Sequence, residues 1–333
     1  MSTQPHLAVV GATGAVGIEM LKCLEERNFP LSQLTLLASA RSAGKKMTFR
    51  GEEITVKELT PDSFADIDIA LFSAGGGISL EFAPHAAAAG AVVIDNSSAF
   101  RMDPDVPLVV PEINPDDAKN HPRNIIANPN CTTIITTMGL FPLHQKYGLK
   151  GIIASTYQAV SGSGAQGIIE LENQIKAIAH NQPAEKNIYP HQIAHNVIPH
   201  VDSFLPEGYT KEEQKMRDEG RKILGIPELA VTCTCVRVPV MRSHSVSLTA
   251  IFENEPDIAE ARAAFENYPG VSVVDDPEKA LYPVPLDTTG KDHCLVGRIR
   301  HDQVIPKALA LWIVGDQVRK GAALNAVQIA ELL

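Results

Sequence analysis

The stretch LAVVGATGAVGIEMLKCLEER at residues 7–27 does most to limit what this chain can fold into. Four apolar residues read as a buried strand, Gly11, Gly14 and Gly17 punctuate a tight turn, and Val16, Met20, Leu21 and Leu24 recur at helical spacing. Strand, glycine turn and helix in this order open a nucleotide-binding unit. The first glycine permits the turn, the second lets backbone N–H groups approach a pyrophosphate, and the third allows the helix to pack closely on the strand. The spacing is GxxGxxG rather than GxGxxG, so a plain strand-to-helix turn competes until the rest of the chain is considered.

Further β-like runs follow at 34–39 (LTLLAS), 53–59 (EITVKEL), 68–74 (DIALFSA), 91–97 (AVVIDNS) and 124–128 (NIIAN). Strands alternating with helical or turn segments indicate an α/β fold with a parallel sheet. The run at 34–39 leads into SARSAGKK without an acidic residue. An Asp or Glu there would hold the ribose hydroxyls of NAD, whereas Ser39, Arg41 and Ser42 suit a 2′-phosphate, so NADP is favoured; a solvated basic turn is the plainer alternative. SAGGGIS at 73–79 follows the fourth strand, at 68–74, at its carboxyl end, where open α/β sheets bind ligands. Its three glycines let the backbone pass close to a ligand, with a merely flexible loop as the alternative.

At 333 residues the chain is long for one domain and suggests two. A formal charge of -10 argues against nucleic acid or anionic membranes as partners, while a local basic pocket for a small anion stays compatible with it. The five cysteines are odd in number and unevenly spaced, unlike a disulfide framework or a zinc ribbon. MSTQPH has no basic leader, and no run approaches the roughly 20 apolar residues of a membrane span. A cytoplasmic protein is expected.

One cysteine stands apart. In NPNCTT, residues 128–133, Cys131 follows an Asn-Pro-Asn boundary and opens an apolar helical pattern. A helix N-terminus carries partial positive charge and unsatisfied N–H groups, which stabilise a thiolate. Pro142 is expected to bend or end this helix. Cys23 reads as a core residue, as do Cys233 and Cys235, which lie two apart on a strand in VTCTCVRV and lack partners at metal-ligand spacing. Prolines interrupt PHQIAHNVIPH at 190–200, so its histidines form no metal motif and no metal is expected. A nucleophilic cysteine needs a proton-handling partner and a place for an oxyanion. STYQAVSGSGAQG at 155–167 reads as a strand ending in a glycine and serine loop, with the amide of Gln158 available. RVPVMRSHSVSLTAIFE at 237–253 reads as strand, bend and strand with His244 at the bend, the natural acid and base.

These motifs together resemble the bacterial aspartate-β-semialdehyde dehydrogenases. GATGAVG, SAGGGIS, DNSSAFR, VPEIN, NPNCTT, TYQAVSGSG, NVIPHVDSF, EEQKM, RVPVMRSHS and NAVQIAE occur in that family's order over nearly the whole chain. Two small departures are the serine before His244, where some relatives have glycine or cysteine, and SGSG where others have SGAG.

The resemblance implies a Rossmann-like NADP-binding domain, residues 1–130 with 315–333. It also implies a catalytic and dimerisation domain, residues 131–314, with an α+β fold and a mixed, largely antiparallel sheet. It makes Cys131 the nucleophile, Gln158 the residue orienting substrate and His244 the acid and base. Arg237 would pair with the substrate α-carboxylate, a task suited to a guanidinium fork. Glu212 and Lys215 would contact the amino group and the phosphate, and Arg101 would be the other phosphate ligand; by spacing alone Glu212 and Lys215 are an ordinary solvated pair. Cofactor contacts are implied from Gly11, Thr13, Gly14, Ala15, Val16, Gly17, Ser39, Arg41, Ser42, Ser73, Gly75, Gly76, Ser161 and Gly162. The C-terminal GDQVRKGAALNAVQIAELL reads as a helix that would return to the cofactor domain with Asn325 near the nicotinamide, or that would simply close the fold.

The implied reaction is reversible, NADPH-dependent reduction of L-4-aspartyl phosphate to L-aspartate 4-semialdehyde and inorganic phosphate through a cysteine thioester, by a homodimer. It lies on the path to lysine, threonine and methionine. N-acetyl-glutamyl-phosphate reductase shares this chemistry but usually has NPGCYPT around its cysteine. Glyceraldehyde-3-phosphate dehydrogenase has a similar Cys-Thr-Thr element but an acidic residue after its second strand. An idle NADP-binding relative is the reading from another class, and retention of Cys131, Gln158 and His244 speaks against it.

Overall fold

A computed structural model describes residues 4–333. The chain divides into two units, one formed by the residues up to Asn130 together with Ala322–Leu333 and the other by Cys131–Gly321. The segment 315–321, expected with the cofactor domain, therefore belongs to the second unit.

In the first unit β1 (His6–Val10), β2 (Gln33–Ala38), β5 (Lys57–Glu58), β6 (Ile69–Phe72), β7 (Val92–Asp95) and β8 (Ile125–Ala127) form a six-stranded sheet in the order β5-β2-β1-β6-β7-β8. All its pairings are parallel. Apart from the short edge strand β5, whose Lys57 and Glu58 are exposed, the strands are mainly buried apolar residues, as a sheet covered on both faces requires. Full burial of one such side chain stabilises by about 1.5–3 kcal/mol. Helix α1 (Ala15–Glu26) buries Met20, Leu21, Cys23 and Leu24, with Val16 packed beside them. Helix α2 (Gly76–Ala88) joins β6 to β7.

The run EITVKEL departs from expectation. Its first three residues lie in β4 (Glu52–Thr55), which pairs antiparallel with β3 (Lys46–Phe49), and only Lys57–Glu58 enters the parallel sheet. The cause is the two-residue loop between Phe49 and Glu52. Arg50 and Gly51 both have positive φ, 51° and 82°, the geometry of a type I′ hairpin turn.

The second unit opens with α3 (Cys131–Tyr147), which continues through Pro142 instead of ending there. The helix is buried along most of its length, and at Gly139 a Cβ would lie 2.0 Å from Ile313 Cδ1, so packing against the sheet outweighs the one N–H that proline lacks. The remaining elements are β9 (Leu149–Gln158), α4 (Ala165–Ala179), α5 (Lys211–Leu224), β10 (Ala230–Arg237), β11 (His244–Phe252), α6 (Ile258–Glu266), β12 (Val271–Val273), α7 (Pro285–Thr288), β13 (Cys294–His301) and β14 (Ala308–Gly315). The strands form a mixed sheet in the order β10-β9-β11-β14-β13-β12, antiparallel in its centre and parallel at both edges.

Past Gly315 the expected long helix is delayed. The carboxylate of Asp316 accepts from the N–H groups of Val318 and Arg319, a π-turn spans Arg319–Ala323, and the regular helix α8 is only Leu324–Glu331. Its buried face, Leu324, Ala326, Val327, Ile329 and Ala330, joins the core of the first unit beside Met20 and Leu24. Among the described residues no helix is long and apolar enough to cross a membrane.

Candidate active site

The order of the first sheet reverses between β1 and β6, and the glycine segments sit at the carboxyl ends of those two strands. Gly11 has φ +82°, and a Cβ there would lie 2.3 Å from the Ser73 carbonyl oxygen. At Gly17 a Cβ would lie 2.4 Å from the Gly11 oxygen. No side chain fits either position, so these glycines bring the two strand ends and α1 into contact. Gly14 and Gly75 occupy the N-cap positions of α1 and α2 without any side-chain cap, and a Cβ at Gly75 or Gly76 would meet nothing within 4 Å. SAGGGIS is thus the opening of a helix rather than a loose loop. Two uncapped helix N-termini over open space at a switch point form a cradle suited to a pyrophosphate. The Thr13 hydroxyl donates to Ser42 Oγ at 3.4 Å, tying the glycine turn to the 39–42 turn, where Ser39 and Arg41 are exposed and Ser42 is buried.

Arg101 and Asn325 also belong to the first unit. Asp95, fully buried at the end of β7, accepts from Ser79 Oγ (2.6 Å) and from the Ser97 hydroxyl (2.6 Å) and N–H (3.1 Å), which shapes the turn leading to Arg101. The buried Arg101 donates through Nε to the Asn128 carbonyl (2.9 Å) and through Nη2 to the Asn96 carbonyl (2.8 Å). Asn325 is wholly buried and donates through Nδ2 to Asn128 Oδ1 (2.7 Å) and to the Val109 carbonyl (3.0 Å). In this structure both residues hold the chain that runs into Cys131.

In the second unit the functional side chains gather at one sheet edge. Register pairs Gln158 at the end of β9 with Arg237 at the end of β10, and His244 at the start of β11 with Gly315 at the end of β14. A Cβ on Gly315 would lie 2.9 Å from Ile135 Cγ1, one turn into α3, and a Cβ on Gly321 would lie 2.8 Å from Cys131 Cβ. The N-terminus of α3 and its cysteine therefore stand at the edge that carries His244. Cys131 is partly exposed, whereas Cys23, Cys233, Cys235 and Cys294 are buried.

The peptide of Ala159 aligns two of these groups. Its N–H donates to His244 Nδ1 (3.0 Å), and its carbonyl accepts from Arg237 Nη1 (2.6 Å). His244 is fully buried, and this burial, with the Arg237 charge adding to it, pushes its pKa well below 6.5. Gly162 leaves the space beside them open: a Cβ there would lie 2.8 Å from Arg237 Nη1 and 3.3 Å from His244 Nε2. Gln158 accepts from Thr156 Oγ1 (3.0 Å) and donates to Glu212 Oε1 (3.1 Å), so its amide orientation is fixed at both ends.

Glu212 and Lys215 are more than a solvated pair. Glu212 is buried, and Lys215 Nζ bridges it (3.1 Å) to Asp202 (2.8 Å). Burial works against the Lys215 ammonium, but Glu212 and Asp202 outweigh it and hold its pKa above 10.5. Burial likewise opposes the Asp202 carboxylate, and the hydrogen bond from Lys215 brings its pKa below 3.8.

Two family models cover most of the chain, the NAD binding domain of semialdehyde dehydrogenases over residues 6–121 and their dimerisation domain over 140–320. The aspartate-semialdehyde dehydrogenase of Aquifex aeolicus is 54% identical over 331 residues, covering 98% of this chain and 97% of that protein. The chain belongs to the aspartate-semialdehyde dehydrogenase family. The crystal structure of aspartate semialdehyde dehydrogenase II complexed with ASA from Vibrio cholerae matches at a TM-score of 0.97 and 47% identity, covering 100% of this chain and 98% of that one. The aspartate semialdehyde dehydrogenase with NADP from Candida albicans matches at 0.78 and 25% identity, over 99% and 98% of the two chains.

Membership in the aspartate-semialdehyde dehydrogenase family directs attention to residues that sequence patterns passed over. Gln317 is buried, accepts from the Ser243 N–H at 2.7 Å and donates to the hydroxyl of Ser161, so it joins the His244 bend to the glycine and serine loop. Ser243 holds φ +77°, a left-handed conformation that a serine does not advertise. Asp202 lies inside the NVIPHVDSF motif, yet its pairing with Lys215 became visible only in the fold. The Cys235 thiol is pushed far up by its neighbour Cys233 and by burial, which suits a packing residue.

Proposed function

We propose that this protein reduces L-4-aspartyl phosphate to L-aspartate 4-semialdehyde and phosphate with NADPH, reversibly and through a thioester on Cys131, on the route to lysine, threonine, methionine, isoleucine and diaminopimelate. The observation that carries this reading is a buried cation and a buried carboxylate on either side of Gln158, Arg237 as its register partner at the end of β10 and Glu212 as the acceptor of its amide, in the unit that opens with the partly exposed Cys131. An aspartyl substrate offers an α-carboxylate to the first and an ammonium to the second. An N-acetylated substrate has no charge for Glu212.

The chain's own contributions follow from that placement. Cys131 at the N-terminus of α3 is stabilised as a thiolate and attacks the acyl carbon; the electron pair of the broken C–O bond leaves with phosphate, for which Lys215 and Arg101 supply positive charge. Arg237 binds the α-carboxylate as a fork whose position is set by the Ala159 carbonyl. NADPH, when bound, supplies the hydride that reduces the acyl group. Gly11, Gly14 and Gly17 with Gly75 and Gly76 fit its pyrophosphate, and Ser39, Arg41 and Ser42 fit a 2′-phosphate. The Vibrio cholerae relative solved with ASA and the Candida albicans relative solved with NADP support substrate and cofactor alike.

The outer face of the second sheet, with Ile153 and Tyr157 exposed, suits a homodimer interface, in keeping with the dimerisation-domain model that spans it. The described cysteines form no disulfide, which accords with the cytoplasm.

The test is phosphate-dependent reduction of NADP with L-aspartate-β-semialdehyde, run beside NAD, N-acetylglutamate semialdehyde and the Cys131→Ala variant. Turnover of the aspartyl substrate alone, with NADP preferred and activity lost in the variant, is expected. Turnover of the acetylated aldehyde, or of neither, would sink the assignment.

A further inference from the structure

Between α4 and α5 the chain at 185–198 forms no regular helix or strand, yet buried side chains of α4 hold it in place. Glu170, buried on α4, accepts from the main-chain N–H groups of Asn187 (2.8 Å), Ile188 (2.5 Å) and Tyr189 (3.4 Å). One turn further on, the buried Gln174 accepts from the N–H groups of Ile193 (2.9 Å) and Ala194 (3.0 Å). Its amide donates to the Glu185 carbonyl (2.8 Å) and to Glu170 itself (3.2 Å). Leaving a buried polar group without its partner is unfavourable, so these bonds hold the segment to one shape, as a strap. Ile193, Ala194 and Ile198 seal the strap by clustering with Leu171 of α4 and with Val160.

Two contacts of the strap lead to Arg237. Ile198 exchanges both main-chain hydrogen bonds with it, donating to the Arg237 carbonyl at 2.9 Å and accepting from the Arg237 N–H at 2.8 Å. Strand β10 is an edge of its sheet with β9 on one side, so Ile198 pairs the end of β10 on the other. Nearer the start of the strap, Tyr189 Oη donates to the Val160 carbonyl at 3.2 Å. Val160 follows Ala159, whose carbonyl accepts from Arg237 Nη1 at 2.6 Å. Burial raises the Tyr189 phenol above 10.0, against the pull of the Ser163 hydroxyl and the Arg237 charge, so its proton is present to donate at neutral pH. A Cβ on Gly167 would lie 2.6 Å from Tyr189 Oη, so α4 makes room for the phenol with a glycine.

We propose that Tyr189, held in place by Glu170, is a positioning residue for substrate binding. The strap fixes Arg237 twice, at its main chain through Ile198 and at its guanidinium through Val160 and Ala159, and so sets the affinity for the substrate α-carboxylate. The inference deepens the reading of Arg237 as the carboxylate fork and rests on it. A fork recognises a carboxylate only from the right place and direction. Tyr189 acts through Arg237 and not on the reacting carbon. Binding of a carboxylate that keeps its charge throughout the reaction is felt alike before and in the transition state, so its loss raises KM and leaves kcat in place.

The experiment is steady-state kinetics of the whole enzyme and of Tyr189→Phe, Glu170→Gln and Arg237→Lys, with L-aspartate-β-semialdehyde, phosphate and NADP. Tyr189→Phe should raise KM for the semialdehyde about fivefold, the worth of one ordinary hydrogen bond, with kcat and the KM for NADP within about twofold of wild type. In the Arg237→Lys background the same change should alter kcat/KM by less than about twofold, because the group it positions is gone. Glu170→Gln should shift KM in the same direction. Thermal unfolding checks the fold of each variant, and if Glu170→Gln does not fold, Tyr189→Phe, which removes a single oxygen, decides alone. A lower melting temperature with KM unchanged, a loss confined to kcat, or a full effect of Tyr189→Phe in the Arg237→Lys background overturns the proposal. A normal KM in Arg237→Lys overturns the reading of Arg237 and the proposal with it, whereas a raised KM there beside a normal one in Tyr189→Phe overturns the proposal alone.

Discussion

Gly162→Ala is a single methyl placed where the site is tightest. Its Cβ would lie 2.8 Å from Arg237 Nη1, whereas ordinary contacts begin near 3.4 Å, so the guanidinium end must retreat by about 0.6 Å. That atom also donates to the Ala159 carbonyl at 2.6 Å, and a retreat of this size away from Ala159 takes the bond to the outer limit of a good N–H···O contact, about 3.2 Å. Gly162 does not have positive φ, so the backbone accepts alanine and the damage stays in the side chains. Displacing a carboxylate fork by several tenths of an ångström should lower kcat/KM for the semialdehyde by about 10- to 100-fold, or about 1.4–2.7 kcal/mol of transition-state stabilisation. Steady-state kinetics of wild type and variant measure this, with thermal unfolding confirming that the fold survives. A variant with kcat/KM within about twofold of wild type would refute the claim that Gly162 sets the position of Arg237.

Gln317→Leu should leave the Ser243 N–H buried without its acceptor and release Ser161, at a cost of about 1–3 kcal/mol seen as a lower melting temperature, while Gln317→Glu keeps the acceptor and recovers part of the loss. Because the folded pKa of Asp202 is depressed, its pairing stabilises the protein above the unfolded carboxylate value and fades as pH falls through the folded one. Asp202→Asn should accordingly flatten the acid limb of stability below about pH 4, by no more than about 1 kcal/mol since the pair is partly exposed. The opposite sign holds for Lys215, whose raised pKa makes its contribution present below 10.5 and lost as pH rises further, so Lys215→Met should remove an alkaline limb in the same denaturation series. A double change of Ile153 and Tyr157 to Lys, read by sedimentation, should yield monomers if the outer sheet face is the dimer interface; an unchanged dimer places the interface elsewhere.

What was legible in the sequence was local and repetitive. The strand, glycine turn and helix at 7–27 announced themselves because two of the three glycines are enforced by backbone contacts, at Gly11 and Gly17. Cys131 was legible because the cysteine falls at a helix boundary, where α3 does begin. The Arg50-Gly51 hairpin turn was less so, since an arginine with positive φ carries no compositional signal. Pro142 does not end α3, because burial of the helix overrides propensity there. The pairing of Lys215 with Asp202, 13 residues away, and the bridge that Gln317 makes to Ser243 and Ser161, 74 and 156 residues away, span distances across which no periodicity reaches.

The return of α8 to the first unit has a consequence for biosynthesis. The parallel sheet and α1 emerge from the ribosome first, yet the aliphatic face that finishes their core, from Leu324 to Ala330, is translated last. Arg27 on the early chain meets Glu331 only then, at 2.6 Å. During elongation the nascent cofactor unit must wait with Met20 and Leu24 uncovered while the whole of Cys131–Gly321 is made. A ribosome that stops short of the last helix therefore releases a chain with an open core, one that chaperones and proteases can tell from the finished enzyme.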